Sequence, residues 1–183
     1  MEIKTLTNFE KYSFQLAELH KKHYLDDHLT AKMNIKLLNN LYLIFNKKLL
    51  FSMLVFDESN YLYGFIIIGK YPSFKELFIK SPTDCILFAA NNFFMVVSRL
   101  FLKDKFISSH KTRLISIVCE RRNNLPMAKQ LEDFACKKLR ELGIKSYGLS
   151  VTKTNKRAIN FYKKQNFEIE HIGKTKLYLF KNL

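Results

Sequence analysis

Residues 146–167 read SYGLSVTKTNKRAINFYKKQNF, and this stretch carries the clearest structural pattern of the chain. Apolar residues alternate with small or polar ones over 146–151, which predicts a strand. Residues 154–165 predict a short helix, with a threonine or an asparagine available as its N-cap. Asn166 then stands where the chain needs a left-handed residue, a conformation that asparagine tolerates better than most residues. The stretch is therefore a strand followed closely by a capped helix.

The same two patterns extend outward over the rest of the chain. Short apolar runs predict strands, and apolar residues three and four apart predict helices. The predicted strands are 2–6, 49–57, 61–69 and 113–120, and the runs 167–173 and 174–180 form a closing hairpin around Gly173-Lys174. The predicted helices are about 8–24, 34–46 and 128–142, with a helical region over 73–106 that is broken at Ser81-Pro82.

This order of elements predicts an α/β (α+β) chain with one domain over 1–183. The strand–helix–strand pattern in 113–151 implies a right-handed crossover onto one mixed sheet. A chain of 183 residues is long enough to bury a full apolar core without disulfides or metals. The most apolar segment, 85–102, contains two asparagines and an arginine, so we expect a buried core helix there and no membrane span.

The segment 113–179 resembles the GCN5-related N-acetyltransferase (GNAT) superfamily, most clearly in 154–167, TNKRAINFYKKQNF. That family shows an asparagine, then Arg-Ala-Ile, Phe-Tyr, a polar pair and Gly-Phe after a strand; here Asn166 replaces the glycine. The resemblance implies a central mixed, mostly antiparallel sheet flanked by helices, with a helical insertion between strands 3 and 4. It also implies an acceptor-side half, 1–110, and an acetyl-CoA-binding half, 111–183.

The activity that the resemblance implies is transfer of the acetyl group of acetyl-CoA to a primary amine by direct attack. In the family the tyrosine of this motif lies near the sulfur of coenzyme A and protonates the departing thiolate, a role that falls to Tyr162. A phenol with a pKa near 10 is able to act as a general acid. The alternative is a core tyrosine. Asn155 is either a cofactor-side contact or only the helix N-cap.

The loop that holds the pyrophosphate in the family corresponds to 120–129, ERRNNLPMAK. The family pattern is Arg/Gln-x-x-Gly-x-Gly/Ala, opening a helix whose N–H groups bind phosphate. Ungapped alignment puts Asn123 at the Arg/Gln position, and a one-residue insertion puts Arg122 there. Pro126 stands at the first glycine and removes one backbone donor. The implied loop contacts are Arg122, Asn123, Leu125, Met127, Ala128 and Lys129.

The central strand supplies the remaining implied cofactor contacts. In the family its backbone, where it splays from its neighbour, pairs with the pantetheine arm and the acetyl oxygen, which maps to Ile117, Val118 and Cys119. Glu120, at the end of this strand, is the candidate general base, directly or through water, and otherwise a solvated loop carboxylate. Cys119 is disfavoured as a covalent nucleophile because the family attacks directly.

The acceptor side is predicted from a second resemblance. Residues 17–29, 37–45 and 63–69 look like the GNAT subgroup of sugar and surface-polysaccharide pathways, which makes a nucleotide-linked amino sugar the preferred acceptor. His20 and His23 lie three residues apart on one helix face and are candidates for the acceptor site, or for a polar helix face. The alternatives are a GNAT-type toxin that acetylates aminoacyl-tRNA and a non-catalytic basic binding module with the same fold.

Composition limits the partners and the compartment. Lys and Arg total 31 against 16 Asp and Glu, so the net charge of +15 predicts attraction of nucleic acid, acidic lipid or phosphate-rich small molecules, unless the lysines only reflect genome composition. Three cysteines without CxxC spacing predict neither disulfides nor a metal site and favour a reducing compartment. With no signal-peptide pattern at the start, we expect a cytoplasmic protein of undetermined oligomeric state.

Overall fold

A seven-stranded sheet runs through the computed structural model, which describes residues 2–24, 28–71, 74–101, 106–120 and 127–183. The strands are β1 (Glu2–Leu6), β2 (Leu49–Phe56), β3 (Leu62–Gly69), β4 (Arg113–Cys119), β5 (Ser146–Thr152), β6 (Glu168–Ile172) and β7 (Lys176–Asn182). They lie in the order β1-β2-β3-β4-β5-β7-β6. All neighbours are antiparallel except β4 and β5, which are parallel.

The helices of the described chain cover the sheet and form one insertion. They are α1 (Ser13–His23), α2 (Ile35–Lys47), α3 (Phe74–Lys80), α4 (Pro82–Asn91), α5 (Phe93–Phe101), α6 (Met127–Glu141) and α7 (Lys156–Lys164). α1 and α2 connect β1 to β2, and α3–α5 lie between β3 and β4. The predicted α/β architecture is confirmed, including its mixed, mostly antiparallel sheet and the helical insertion between strands 3 and 4.

Strand β3, next to the central strand β4, is covered by helices on both faces of the sheet. Every residue of β3 is buried. Phe65 and Ile67 belong to a core built with α1 and α2, whereas Ile66 and Ile68 belong to a second core built with α6 and α7. A strand that is covered on both faces has no solvated side to make polar, so its sequence is a continuous apolar run.

The parallel pair β4 and β5 is held together at only one position. Arg113 lies opposite Gly148, and the N–H of Gly148 donates to the carbonyl oxygen of Thr112 at 3.0 Å. A Cβ atom on residue 148 would lie 2.6 Å from Nη1 of Arg113. Because residue 148 has no Cβ atom, the Arg113 guanidinium fits against β5 without shifting. Beyond this pair no residue of β4 pairs with β5, so the ladder between the two strands is open toward their carboxyl-terminal ends; we call this open stretch the gap.

A β-bulge in β4 lies beside this gap. Ser116 pairs with Ile67 and Leu114 pairs with Ile68, which leaves Ile115 as an extra residue. Leu114 belongs to the core of α6 and α7, whereas Ile115 belongs to the core of α1 and α2. A bulge bends its strand and increases the local twist, so it contributes to the divergence of β4 from β5.

The stretch from β5 through α7 has the local structure that its sequence predicts. Asn155 is the N-cap of α7, and its Oδ1 accepts from the N–H of Ala158 at 3.0 Å. Asn166 has a φ of 61°, in the left-handed region. Asn155 caps the helix because its short side chain reaches a free backbone N–H. Asn166 fits its position because asparagine tolerates a positive φ.

The expectation of a buried core helix over 85–102 is wrong. The segment divides into α4 and α5 at Asn92, and no side chain of α4 is buried. Leu77 of α3 is buried in the core of α1 and α2, but Cys85 and Phe88 of α4 are only partly buried against that core, and apolar side chains of all three insertion helices stay exposed. These are Phe78, Ile79, Ile86, Leu87, Phe93, Phe94 and Phe101.

A buried carboxylate joins three elements within the second core. Glu132 of α6 has no exposed surface. Its Oε1 accepts from the hydroxyl of Tyr147 at 2.6 Å, from Nζ of Lys181 at 2.8 Å and from Sγ of Cys136 at 3.0 Å. The ammonium of Lys181 therefore compensates a charge that water does not reach, and it ties β7 to α6.

We expect Lys181→Met to lower the free energy of unfolding by about 3–5 kcal/mol, because it leaves the Glu132 carboxylate buried without a counter-ion. Glu132→Gln in the same chain should restore part of the loss. The matched control is Lys138→Met, whose ion pair with Glu141 is exposed and should cost less than about 1 kcal/mol. Urea unfolding measures all three. Equal losses for Lys181→Met and Lys138→Met would contradict the assignment.

Candidate active site

The gap between β4 and β5 exposes backbone hydrogen-bonding groups of β4. The N–H of Glu120 donates to the carbonyl oxygen of Tyr63 at 2.8 Å. Because hydrogen-bonded and non-bonded pairs alternate along an antiparallel ladder, the peptide groups of Val118 face β3. Those of Ile117 and Cys119 face the gap instead, where no described residue bonds to them. The edge of β4 at the gap therefore offers backbone N–H donors and C=O acceptors.

Tyr162 reaches this gap from the α7 side. Its ring is buried and lies between those of Phe161 and Phe167, with centroids 5.3 Å from each. Its hydroxyl makes no hydrogen bond to any described residue. Burial raises its pKa well above the usual value, and the hydroxyls of Tyr24 and Tyr71 raise it further. The phenol is thus protonated at neutral pH, with a proton that no described residue accepts.

Tyr24 meets Tyr162 from the opposite layer. It follows α1, and its hydroxyl is 2.7 Å from Oγ of Ser116, the polar residue in the middle of β4. Burial raises the pKa of Tyr24 to about 12. Tyr162 packs in the core of α6 and α7 together with the partly buried side chains of Ile117 and Cys119, whereas Tyr24 bonds to β4 from the layer of α1. The sequence analysis did not identify Tyr24 or Ser116.

His20 lies in the same layer but in a closed polar network. Its Nδ1 is 2.9 Å from the hydroxyl of Tyr42, its Nε2 is 2.7 Å from Oγ1 of Thr30, and its ring stacks on Tyr24 at 3.5 Å. Burial lowers its pKa to about 3, with smaller contributions from His28 and Lys21. His20 is therefore a neutral, buried histidine whose two ring nitrogens are both engaged by the protein.

His23 has a different environment at the end of β4, beside Glu120. Oε1 of Glu120 accepts from Nζ of Lys22 at 2.6 Å and from the hydroxyl of Tyr61 at 2.9 Å, and lies 3.4 Å from Nε2 of His23. Burial alone would raise the pKa of Glu120, but the hydrogen bonds from Lys22, Tyr61 and His23 outweigh it and lower the pKa. Glu120 is thus ionised at neutral pH. The two histidines predicted as a pair therefore lie in different environments, His20 in the buried network and His23 beside Glu120.

The start of α6 carries the remaining predicted cofactor residues. Arg122, Asn123 and Leu125 lie outside the described residues, as does Pro126. Among the described ones, Met127 is buried in the core of α6 and α7, Ala128 is partly exposed, and Nζ of Lys129 pairs with Oδ2 of Asp133 at 2.6 Å. Their contact with a cofactor stays a prediction.

Positive charge lies at the N-terminal ends of α6 and α7. Neither helix has an acidic residue in its first turn, whereas Lys129, Lys156 and Arg157 lie in those turns. Arg157 is near Cys119 and acts to lower the pKa of that thiol, but burial is the larger effect and raises it to about 12. Cys119 is therefore a protonated thiol, which agrees with the prediction that disfavours it as a nucleophile.

The pH dependence of stability tests the buried state of His20. The folded chain keeps His20 neutral down to about pH 3, whereas the unfolded chain binds a proton below its ordinary pKa of 6.5. The folded state therefore loses stability as the pH falls from 6.5 toward 3. Between pH 7 and 5 we expect the unaltered protein to lose about 2 kcal/mol more than His20→Gln, measured by urea unfolding. Parallel losses in the two proteins would contradict a buried, neutral His20.

Comparison with known proteins finds relatives in structure only. No family model and no curated protein matches the chain. The PaiA N-acetyltransferase of Thermoplasma acidophilum, solved with coenzyme A, superposes with a TM-score of 0.60 at 16% identity and covers 100% of both chains. A GNAT-family acetyltransferase of Listeria monocytogenes gives 0.61 at 14%, covering 100% of this chain and 96% of its own. Ard1 of Thermoplasma volcanium gives 0.58 at 15%, covering 100% and 99%.

Proposed function

We propose that this chain, which has the fold of the GNAT acetyltransferases, is an acetyl-CoA-dependent N-acetyltransferase that acetylates a primary amine. The observation that carries the proposal is the gap between β4 and β5. The ladder between the two parallel strands ends after one residue pair and leaves the peptide groups of Ile117 and Cys119 open, and Tyr162, whose hydroxyl is protonated, packs in the same core as their side chains.

The residues around the gap fit acetyl-CoA. Its pantetheine arm carries amides, and an open strand edge pairs with amides as another strand would. Its phosphates need donors and positive charge, which the N-terminal ends of α6 and α7 provide together with Lys129, Lys156 and Arg157. On this proposal residues 111–183 are the acetyl-CoA-binding half and 1–110 the acceptor side, and Asn155 caps α7 at the cofactor end.

The chain's own groups match the chemistry of a thioester. Acetyl-CoA supplies, when bound, an activated acetyl group and a thiolate leaving group. The N–H groups of Ile117 and Cys119 are the donors available to hold the acetyl oxygen. Tyr162 keeps its proton at neutral pH because its pKa is raised, so it is the general acid for the leaving sulfur.

We assign Glu120 to the amine. Its lowered pKa makes it a weak base, and an ionised carboxylate is well suited to hold the acceptor's ammonium group. Glu120 therefore binds and orients the amine beside His23, and the proton leaves through water. This assignment replaces the prediction of Glu120 as a general base that acts directly or through water.

The preferred acceptor is an amine on an anionic carrier, of which a nucleotide-linked amino sugar is the example that the sequence favours. The net charge of +15 supports an anionic carrier, since a positive surface concentrates such molecules. The amine of an aminoacyl-tRNA has the same chemistry on a larger anionic body and is the second candidate.

The test is acetyl-CoA turnover with a panel of amines, followed by release of the free thiol. We expect Tyr162→Phe to lower kcat about 100-fold with an unchanged dissociation constant for acetyl-CoA, because only the proton donor is lost. The matched control is Tyr12→Phe, a partly buried tyrosine whose ring packs on Phe56 at 5.2 Å, which should keep full activity. An unchanged kcat in Tyr162→Phe would refute the acid, and no turnover with any amine or aminoacyl-tRNA would refute the enzyme.

A further inference from the structure

Helix α5 has the composition of a core helix, but its described side chains contribute nothing to either core. Its sequence, FFMVVSRLF, has seven apolar residues of nine, and none of its described side chains belongs to either hydrophobic core. Phe93, Phe94 and Phe101 are 60%, 87% and 79% exposed. Phe94 and Phe101 are seven residues apart and Phe93 and Phe101 eight, so the three form one stripe along the helix.

Exposed apolar side chains also occur on α3 and α4, the other two helices of the insertion. We use the name insertion surface for the exposed apolar side chains of the three helices, which are Phe78, Ile79, Ile86, Leu87, Phe93, Phe94 and Phe101. Monomeric proteins rarely expose apolar patches beyond a few hundred Å² unless the patch contacts a partner or a membrane. The insertion surface therefore needs an occupant.

The charged residues of the insertion and of the α2 layer indicate which kind of partner fits the insertion surface. Residues 28–48 and 74–101 contain seven Lys or Arg residues and only two acidic ones, Glu76 and Asp84. Both acids are tied to lysines of the α2 layer: Glu76 bonds to Lys48, and Oδ2 of Asp84 lies 3.1 Å from Nζ of Lys36. Residues 85–98 carry no charge at all. Seven cations and two acids give these two ranges a net charge of +5, and the uncharged stretch 85–98 lies within them.

We propose that α4 and α5 dock this protein on an anionic lipid surface. Apolar residues with basic neighbours match the acyl chains and acidic headgroups of such a surface. The helices lie in the interface, because no described helix has the length and apolarity needed to cross a bilayer. A second copy of the chain fits less well, since it would bring two regions of net positive charge together. Nucleic acid needs cations among its stacking aromatics, and 85–98 has none.

Vesicle sedimentation tests the proposal directly. The protein should sediment with phosphatidylcholine vesicles that contain phosphatidylserine and at least about tenfold less with phosphatidylcholine alone, and raised salt should weaken the binding. Phe93→Ser/Phe94→Ser should reduce binding about tenfold or more by removing two exposed apolar anchors. The control, Phe14→Ser/Phe134→Ser, removes two phenylalanines that are 50% and 48% exposed on α1 and α6, and should bind as the unaltered protein does.

A second measurement does not depend on serine variants folding. The chain has no tryptophan, so Phe94→Trp introduces a single fluorescent reporter of its surroundings. Its emission should move to shorter wavelength with phosphatidylserine vesicles, whereas Phe14→Trp should not respond. No vesicle binding, equal loss in both double variants, or an unresponsive Phe94→Trp would overturn the proposal. A dimer without vesicles that Phe93→Ser/Phe94→Ser dissociates, or a response of Phe94→Trp to RNA in place of lipid, would also overturn it.

Discussion

The pairing of Arg113 with Gly148 is the contact on which the rest of the site depends. It joins the two parallel strands at one end, and the absence of a Cβ atom at Gly148 leaves room there for the Arg113 side chain. Sheets normally keep their strands about 4.8 Å apart along their length. Here the strands separate after one pair, so an open edge exists inside a sheet that is otherwise covered on both faces.

Residues from both helical layers approach β4. Tyr162 comes from the core of α6 and α7, and Tyr24 comes from the layer of α1, where it is bonded to Ser116 at the bulged strand. Burial raises the pKa of each phenol, so both hydroxyls are protonated at neutral pH. A closed sheet would separate them. The chemistry that we propose is thus a consequence of where the sheet is interrupted.

The sequence predicted the parts of the fold that local patterns determine. Asn155 and Asn166 mark the two ends of α7 because capping and left-handed turns depend on a few adjacent atoms. The environments of His20 and Glu120 were not predictable in this way, because Tyr42, Thr30 and Lys22 reach them only in the folded chain. The apolar pattern of 85–102 is typical of a buried helix and of an interfacial one, so the sequence could not show that α5 stays uncovered.

Amide hydrogen exchange along β4, measured by NMR with and without acetyl-CoA, tests whether acetyl-CoA pairs with the open edge of this strand. The N–H of Val118 faces β3 and should exchange slowly in both samples, which makes it an internal control. The N–H groups of Ile117 and Cys119 face the gap and should exchange at least about tenfold more slowly once acetyl-CoA is bound, as newly paired strand amides do. Unchanged exchange at Ile117 and Cys119, or the same slowing with free ATP, would contradict the account.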